Sequence, residues 1–178
     1  MNLRTLVTFA AIITGVLTAP KDVHLIAKSD NKTIDGVGLC SIRESLTVSY
    51  MFLGTGIERF TWETTNNTFF DTTVSDMYVA YLQRWGNLIV VAAGYTDSQF
   101  TVSPCNYLVV NGSERVFYAA KSTNDPANYS SSYYQVLYYA EEEDAPDDSI
   151  PFSVYVESAD TTSSSIQTAT LYSTDSSS

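Results

Sequence analysis

Short runs in which apolar and polar residues alternate recur along most of this chain, and turn-forming residues separate them. The first is 23–28 (VHLIAK). Next come 46–53 (LTVSYMFL), stopped by Gly54-Thr55-Gly56, then 57–62, and 68–72 after the Asn66-Asn67 turn. Residues 77–84 (MYVAYLQR) break at Gly86-Asn87, and 88–93 answer them as the second arm of a hairpin. Runs at 100–103, 107–110, 116–120, 133–140 and 152–157 complete the set. Short strands spaced by regular turn signals predict an all-β fold, an antiparallel β-sandwich of jelly-roll or Ig-like kind. Side chains alternate across a strand. Tyr134, Val136 and Tyr138 therefore share one face of their run, and Tyr133, Gln135, Leu137 and Tyr139 share the other.

Three segments break this pattern. Residues 6–16 (LVTFAAIITGV) form an apolar stretch after Arg4, and Leu17-Thr18-Ala19 ends it on a small residue. That layout predicts a secretory signal peptide over residues 1–19, too short to span a bilayer. Residues 141–148 (EEEDAPDD) predict a solvated acidic loop. Residues 159–178 are rich in Ser and Thr and poor in core-forming residues, which predicts a disordered tail. One β-sandwich domain is expected over 20–158. The last residues of the sequence lack the apolar segment of a GPI signal, so no GPI anchor is expected.

Composition sharpens the class. Thirteen Tyr and eight Phe favour strands over helices. The net charge is −11, and removing residues 1–19 takes away Arg4 and no acid. So acidic a surface repels phosphate backbones, which makes nucleic acid a poor partner. Export places Cys40 and Cys105 in an oxidising compartment, where an even cysteine count predicts one disulfide between them. Asn31, Asn66, Asn111 and Asn128 each open an Asn-x-Ser/Thr triplet among turn-forming residues, so all four are candidate N-glycosylation sites.

The residues offer little for catalysis. His24, the single histidine, sits within the first apolar run, where a structural role is expected. No nucleophile elbow, zinc-protease motif or P-loop occurs. Glu44 and Glu58 are candidates for a glycosidase pair, but nothing in their spacing places them across a cleft. A calcium loop opening at Asn31 lacks its closing ligand, because Ile42 stands at the twelfth position. No enzyme, cofactor or metal is expected. The Tyr-rich run supplies a candidate ligand surface at Tyr133, Tyr134 and Tyr138, with core packing as the competing use of the same rings.

One stretch carries more specific information. Lys28-Ser29-Asp30-Asn31 is followed by Ile34-Asp35-Gly36, by Gly38-Leu39 and by Val48-Ser49-Tyr50-Met51-Phe52-Leu53-Gly54. This resembles the N-terminal half of a family of small secreted and cell-wall mannoproteins of budding yeasts, which includes the a-factor barrier protein. The chain departs from that pattern at Arg43-Glu44-Ser45-Leu46-Thr47, which keeps only the acid. The resemblance implies a secreted, glycosylated protein of the fungal cell wall or extracellular space, with a structural or protective role. Its partners would be wall polysaccharide or a hydrophobic peptide or lipid. The alternative it implies is a soluble binder of a hydrophobic ligand such as a prenylated pheromone. A wall-glycan enzyme is the third and most distant reading.

Overall fold

The computed structural model describes residues 19–54, 56–71, 79–94 and 100–159. The expected signal segment and Ser/Thr-rich tail lie outside the described residues, apart from Ala19 and Ala159. The described chain is all-β and sandwich-like. β1 (Lys21–Lys28), β2 (Leu39–Arg43) and β3 (Val48–Leu53) are followed by β4 (Arg59–Glu63), β5 (Thr68–Asp71), β6 (Ala80–Trp85) and β7 (Leu88–Ala93). The short pair β8 (Thr101–Val102) and β9 (Leu108–Val109) comes next. Then come β10 (Phe117–Ala120), β11 (Tyr134–Tyr138) and β12 (Ile150–Ser158). Two 3-10 turns, Tyr129–Ser131 and Glu142–Asp144, interrupt the later loops.

Ten strands form one sheet in the order β10-β12-β1-β4-β5-β6-β7-β11-β3-β2. β10 also pairs with β11, so the sheet closes on itself. Closure removes most of the open edge that strands would otherwise offer to other chains. β1 lies between β12 and β4, with Leu25 opposite Val156 and Ala27 opposite Val154. The alternation read from the sequence is realised there. Val23, Leu25 and Ala27 enter the core on β1, and Phe152, Val154 and Val156 enter it on β12. Phe60, Phe69, Met51, Ile89, Phe100, Leu108 and Phe117 fill the same cluster.

Turn chemistry matches the turns. Between β6 and β7, Trp85 faces Leu88 across two residues, and Gly86 has φ +60° while Asn87 does not adopt positive φ. That is the pattern of a type II′ hairpin, whose first central position calls for glycine. Gly38 answers a different demand, because a Cβ there would lie 2.6 Å from Ile57 Cγ1 and 2.7 Å from the Gly56 carbonyl oxygen.

Three expectations need correction. β2 was not among the expected runs. It forms because Leu39 to Arg43 pair residue for residue with Leu53 to Ser49. Leu46 is not a strand residue but a turn residue, 85% exposed, between β2 and β3. The structure does not join Cys40 to Cys105, which lie one buried and one exposed. Cys40 is buried on β2, where its Sγ lies 3.8 Å from the Phe52 carbonyl oxygen. Cys105 is exposed in the β8–β9 turn. An even count in an oxidising compartment favours a disulfide only where the fold brings the two sulfurs together.

Two outcomes check this description. A thiol reagent should modify one cysteine, Cys105, in the native protein and both after unfolding. An unfolded, unreduced chain with no reactive thiol would contradict it. Gly38→Ala should lower stability by about 1–3 kcal/mol, because the nearest neighbour on one side is backbone and cannot swing away. Denaturant unfolding with an unchanged midpoint would contradict the tight approach.

Candidate functional site

A groove of about 440 Å³ opens beside the β1–β12 pair, within the size range of ligand-binding clefts. Four chain segments build it. The end of β1 and its following turn supply Lys28, Ser29, Asp30 and Asp35, and Tyr107 comes from the segment leading into β9. Glu114 and Arg115 precede β10, and Pro151, Phe152 and Ser153 belong to β12. Tyr107 bridges to Tyr155 on β12, and the two rings meet edge to face at 5.5 Å. Lys28 Nζ lies 5.9 Å from the centre of the Tyr155 ring. The turn is fixed from within, because the Ser29 N–H donates to Asp35 Oδ1 at 3.2 Å and the Ser29 hydroxyl to the Pro151 carbonyl at 2.9 Å. The Ser29 N–H, with help from Lys32, holds the Asp35 carboxyl below the usual range, so it carries its charge.

The residues singled out from the sequence are dispersed. Tyr133 is 39% exposed, Tyr134 is half-buried against the core, and Tyr138 is 5% exposed. They do not make one ligand surface. Tyr138 shares its face with Val136, which is fully buried, and that face is the inner one. Arg84 stacks on the Tyr138 ring at 4.6 Å, and Asn111 Nδ2 donates to its hydroxyl at 3.1 Å. Gln135 and Leu137 on the opposite face are buried too. The β10–β11 connection folds over Gln135, and the Thr123 hydroxyl donates to its side-chain oxygen. Asn31, Asn66, Asn111 and Asn128 are all exposed. Asn31 and Asn66 each accept the N–H two residues ahead, from Thr33 at 2.9 Å and from Thr68 at 3.2 Å. His24 lies half-buried on β1, and its Nδ1–H donates to the Glu58 carbonyl at 2.9 Å.

Glu44 and Glu58 each have an aspartate partner, and neither aspartate stood out in the sequence. Glu58 accepts from the Ser41 N–H and, at 3.0 Å, from the Ser41 hydroxyl. Its other neighbour is Asp71, 2% exposed. Burial raises the Glu58 carboxyl from its ordinary 4.5 to about 7, and the Asp71 charge pushes in the same direction against the Ser41 donors. Glu44 sits in the β2–β3 turn and accepts from the Ala127 N–H at 3.0 Å. Burial and the neighbouring Asp125 raise its carboxyl. Burial also opposes ionisation of Asp125, but donors from Ser130 and the Tyr129 N–H outweigh it and hold that carboxyl low. Glu58 and Glu44 are thus the carboxyls driven toward holding a proton, while Asp125 keeps its charge. Asp71 is sealed from solvent, so its pair serves to join strands rather than to meet a substrate. Inward alternation was the available signal, because Asp71 lies two residues after Phe69 on one face of β5. Among the described residues no group of three or more His, Cys, Asp or Glu could hold a metal ion.

No family model matches the chain, and no solved structure matches it. It is 31% identical over 144 residues to cell wall protein RHD3 of Candida albicans, covering 78% of this chain and 70% of that protein. The chain belongs to this family of fungal cell-wall proteins. Two further relatives from C. albicans are cell wall protein PGA30, 29% identical over 161 residues, and cell wall protein PGA31, 28% identical over 141 residues. The matches cover 86% and 77% of this chain but only 54% and 48% of those proteins, so the chain spans about half their length. The motifs at Lys28 to Gly54 thus pointed to the right class, and the family is named for the wall rather than for a reaction.

The Glu58 pair gives this family member a stability that depends on pH. The unfolded chain releases the Glu58 proton near 4.5 and the native protein only near 7, so native molecules hold the extra proton between those values. Stability should therefore fall as pH rises from about 4.5 to 7, by roughly 3 kcal/mol from this group. In Glu58→Gln the amide oxygen still accepts from Ser41 and the amide N–H faces Asp71. Thermal melts from pH 5 to 8 should show a flatter profile for this variant and a higher melting point than the parent at pH 8. Parallel profiles would contradict the raised carboxyl.

Proposed function

We propose that this chain is a secreted, N-glycosylated protein of the fungal cell wall with a structural or protective role and without catalytic turnover. Membership of the cell-wall family carries the reading, through the match to RHD3 over 144 residues. The surface supports it, since all four sequon asparagines stand exposed, where glycans remain in solvent. A second support is chemical. Glu44 and Glu58, the acids first considered for glycan cleavage, are each occupied by a neighbouring aspartate and by backbone donors. Sequestration of a prenylated peptide gains no support from the groove, whose charged lining suits polar ligands better than an apolar chain.

Cell fractionation tests the proposal. Cultures making the tagged full-length chain are separated into cytosol, medium, detergent-extractable wall and glucanase-released wall. The protein should be recovered from the wall fractions with a mass above the polypeptide value, and an N-glycosidase should lower that mass. Stepwise Asn→Gln changes at 31, 66, 111 and 128 should remove the shift in increments. Recovery from cytosol alone, or a band that the glycosidase leaves in place, would overturn it.

A further inference from the structure

We infer that the groove beside the β1–β12 pair binds a neutral hexose glycan. Its source could be wall polysaccharide or the protein's own N-glycans, and the wall source rests on the cell-wall reading above. The inference starts from polar groups that the protein does not spend on itself. Among the described residues, no hydrogen bond or ion pair within the chain engages the side chains of Asp30, Glu114 or Arg115, yet all three line one groove. A sugar hydroxyl donates and accepts at once, so it suits a lining that sets carboxylates beside cationic donors. Tyr107, half-buried and held by Tyr155, adds an aromatic face on which the C–H side of a sugar ring can stack.

Other ligand classes fit less well. Asp30, Asp35 and Glu114 outnumber Lys28 and Arg115, which disfavours phosphate and other anions. A metal ion finds no ligand cluster among the described residues. A peptide adding as a strand needs a free edge. On β12 the groove residues Pro151 and Phe152 already pair with β10 and Ser153 with β1, and the Pro151 carbonyl accepts from the Ser29 hydroxyl. Two sequons also flank the groove. Asn31 adjoins Asp30, and the Asn111-Gly112-Ser113 triplet runs directly into Glu114 and Arg115. A glycan on Asn31 is thus attached one residue from a lining side chain, and one on Asn111 three residues from the next, with the Asn111 amide itself turned to the Tyr138 hydroxyl.

The test titrates the secreted full-length protein, and its Asn31→Gln/Asn111→Gln version, with a β-1,3-glucan hexasaccharide and with a mannose oligosaccharide. Calorimetry or NMR shift changes report binding. At least one oligosaccharide should bind saturably, and Arg115→Ala and Tyr107→Ala should each weaken it tenfold or more. Trp85→Ala, an exposed aromatic elsewhere on the surface, should leave it unchanged. Arg115 is exposed, so its removal leaves the core intact even where Tyr107→Ala disturbs packing. Binding by the sequon-less version alone would support the groove and identify the protein's own glycan as its occupant. Binding by both versions would point to wall polysaccharide. No saturable binding by either up to about 10 mM, or binding that Arg115→Ala does not change, would overturn the inference. Because the assay uses purified protein, such a failure leaves the fractionation result standing, and a protein absent from the wall could still bind glycan in the tube.

Discussion

The pairing of the first described strand with the last is the contact on which the rest of this molecule depends. β1 and β12 run antiparallel from Val23 opposite Ser158 to Lys28 opposite Ser153. Their inward residues, Leu25, Ala27, Val154 and Val156, are at most 5% exposed. Without that pair the ring that β10–β11 closes is cut between the first and last described strands, and the backbone groups of both lose partners they cannot replace in a core. The contact is also the most expensive in chain entropy, because it joins residues more than a hundred positions apart. Local hairpins such as β6–β7 and β2–β3 need no such closure, and their residues are near neighbours in sequence. Contacts of such separation slow folding across all-β domains, because closure entropy is spent before they form.

Closure also creates what the surface offers. The groove exists because β12 brings Pro151 and Ser153 beside Lys28 and Ser29, while Tyr107 is tied to Tyr155 on the same strand. Around the sheet, Glu58 at the entrance to β4 reaches Ser41 on β2, and Glu44 in the β2–β3 turn reaches the loop at Asp125 and Ala127. These acids fasten loops and strands across long sequence distances. Burial and a neighbouring aspartate raise Glu44 and Glu58, so these two fastenings are strongest where those carboxyls still hold a proton.

Alternating side chains made most strands legible, since a half-buried strand repeats every two residues whatever its partners. β2 escaped because Leu39-Cys40-Ser41-Ile42-Arg43 follows a glycine turn and alternates weakly, so only its register with β3 defines it. Tyr138 was placed with Tyr133 as a surface residue because tyrosine serves core and surface alike. Its neighbour Val136 shares the inward face and already marked the orientation. The cysteines misled because compartment and parity say nothing of distance. The acid pairs and the groove were beyond a linear reading, because their members come from separate segments that only the β1–β12 closure and its neighbours bring together. The wall family was legible in the glycine-bearing stretch from Lys28 to Gly54, where Gly38 meets Ile57 and the Gly56 carbonyl too closely for any side chain.

Native-state hydrogen exchange resolved by residue tests the closure most directly. If the terminal strands fasten the whole sheet, amides of Leu25, Ala27, Val154 and Val156 exchange only through global unfolding, with protection equal to the most protected amides of β6 and β7. If β1 and β12 instead exchange through local opening while β6 and β7 remain protected, the domain is held from its hairpins and the terminal pair is not what fastens the sheet.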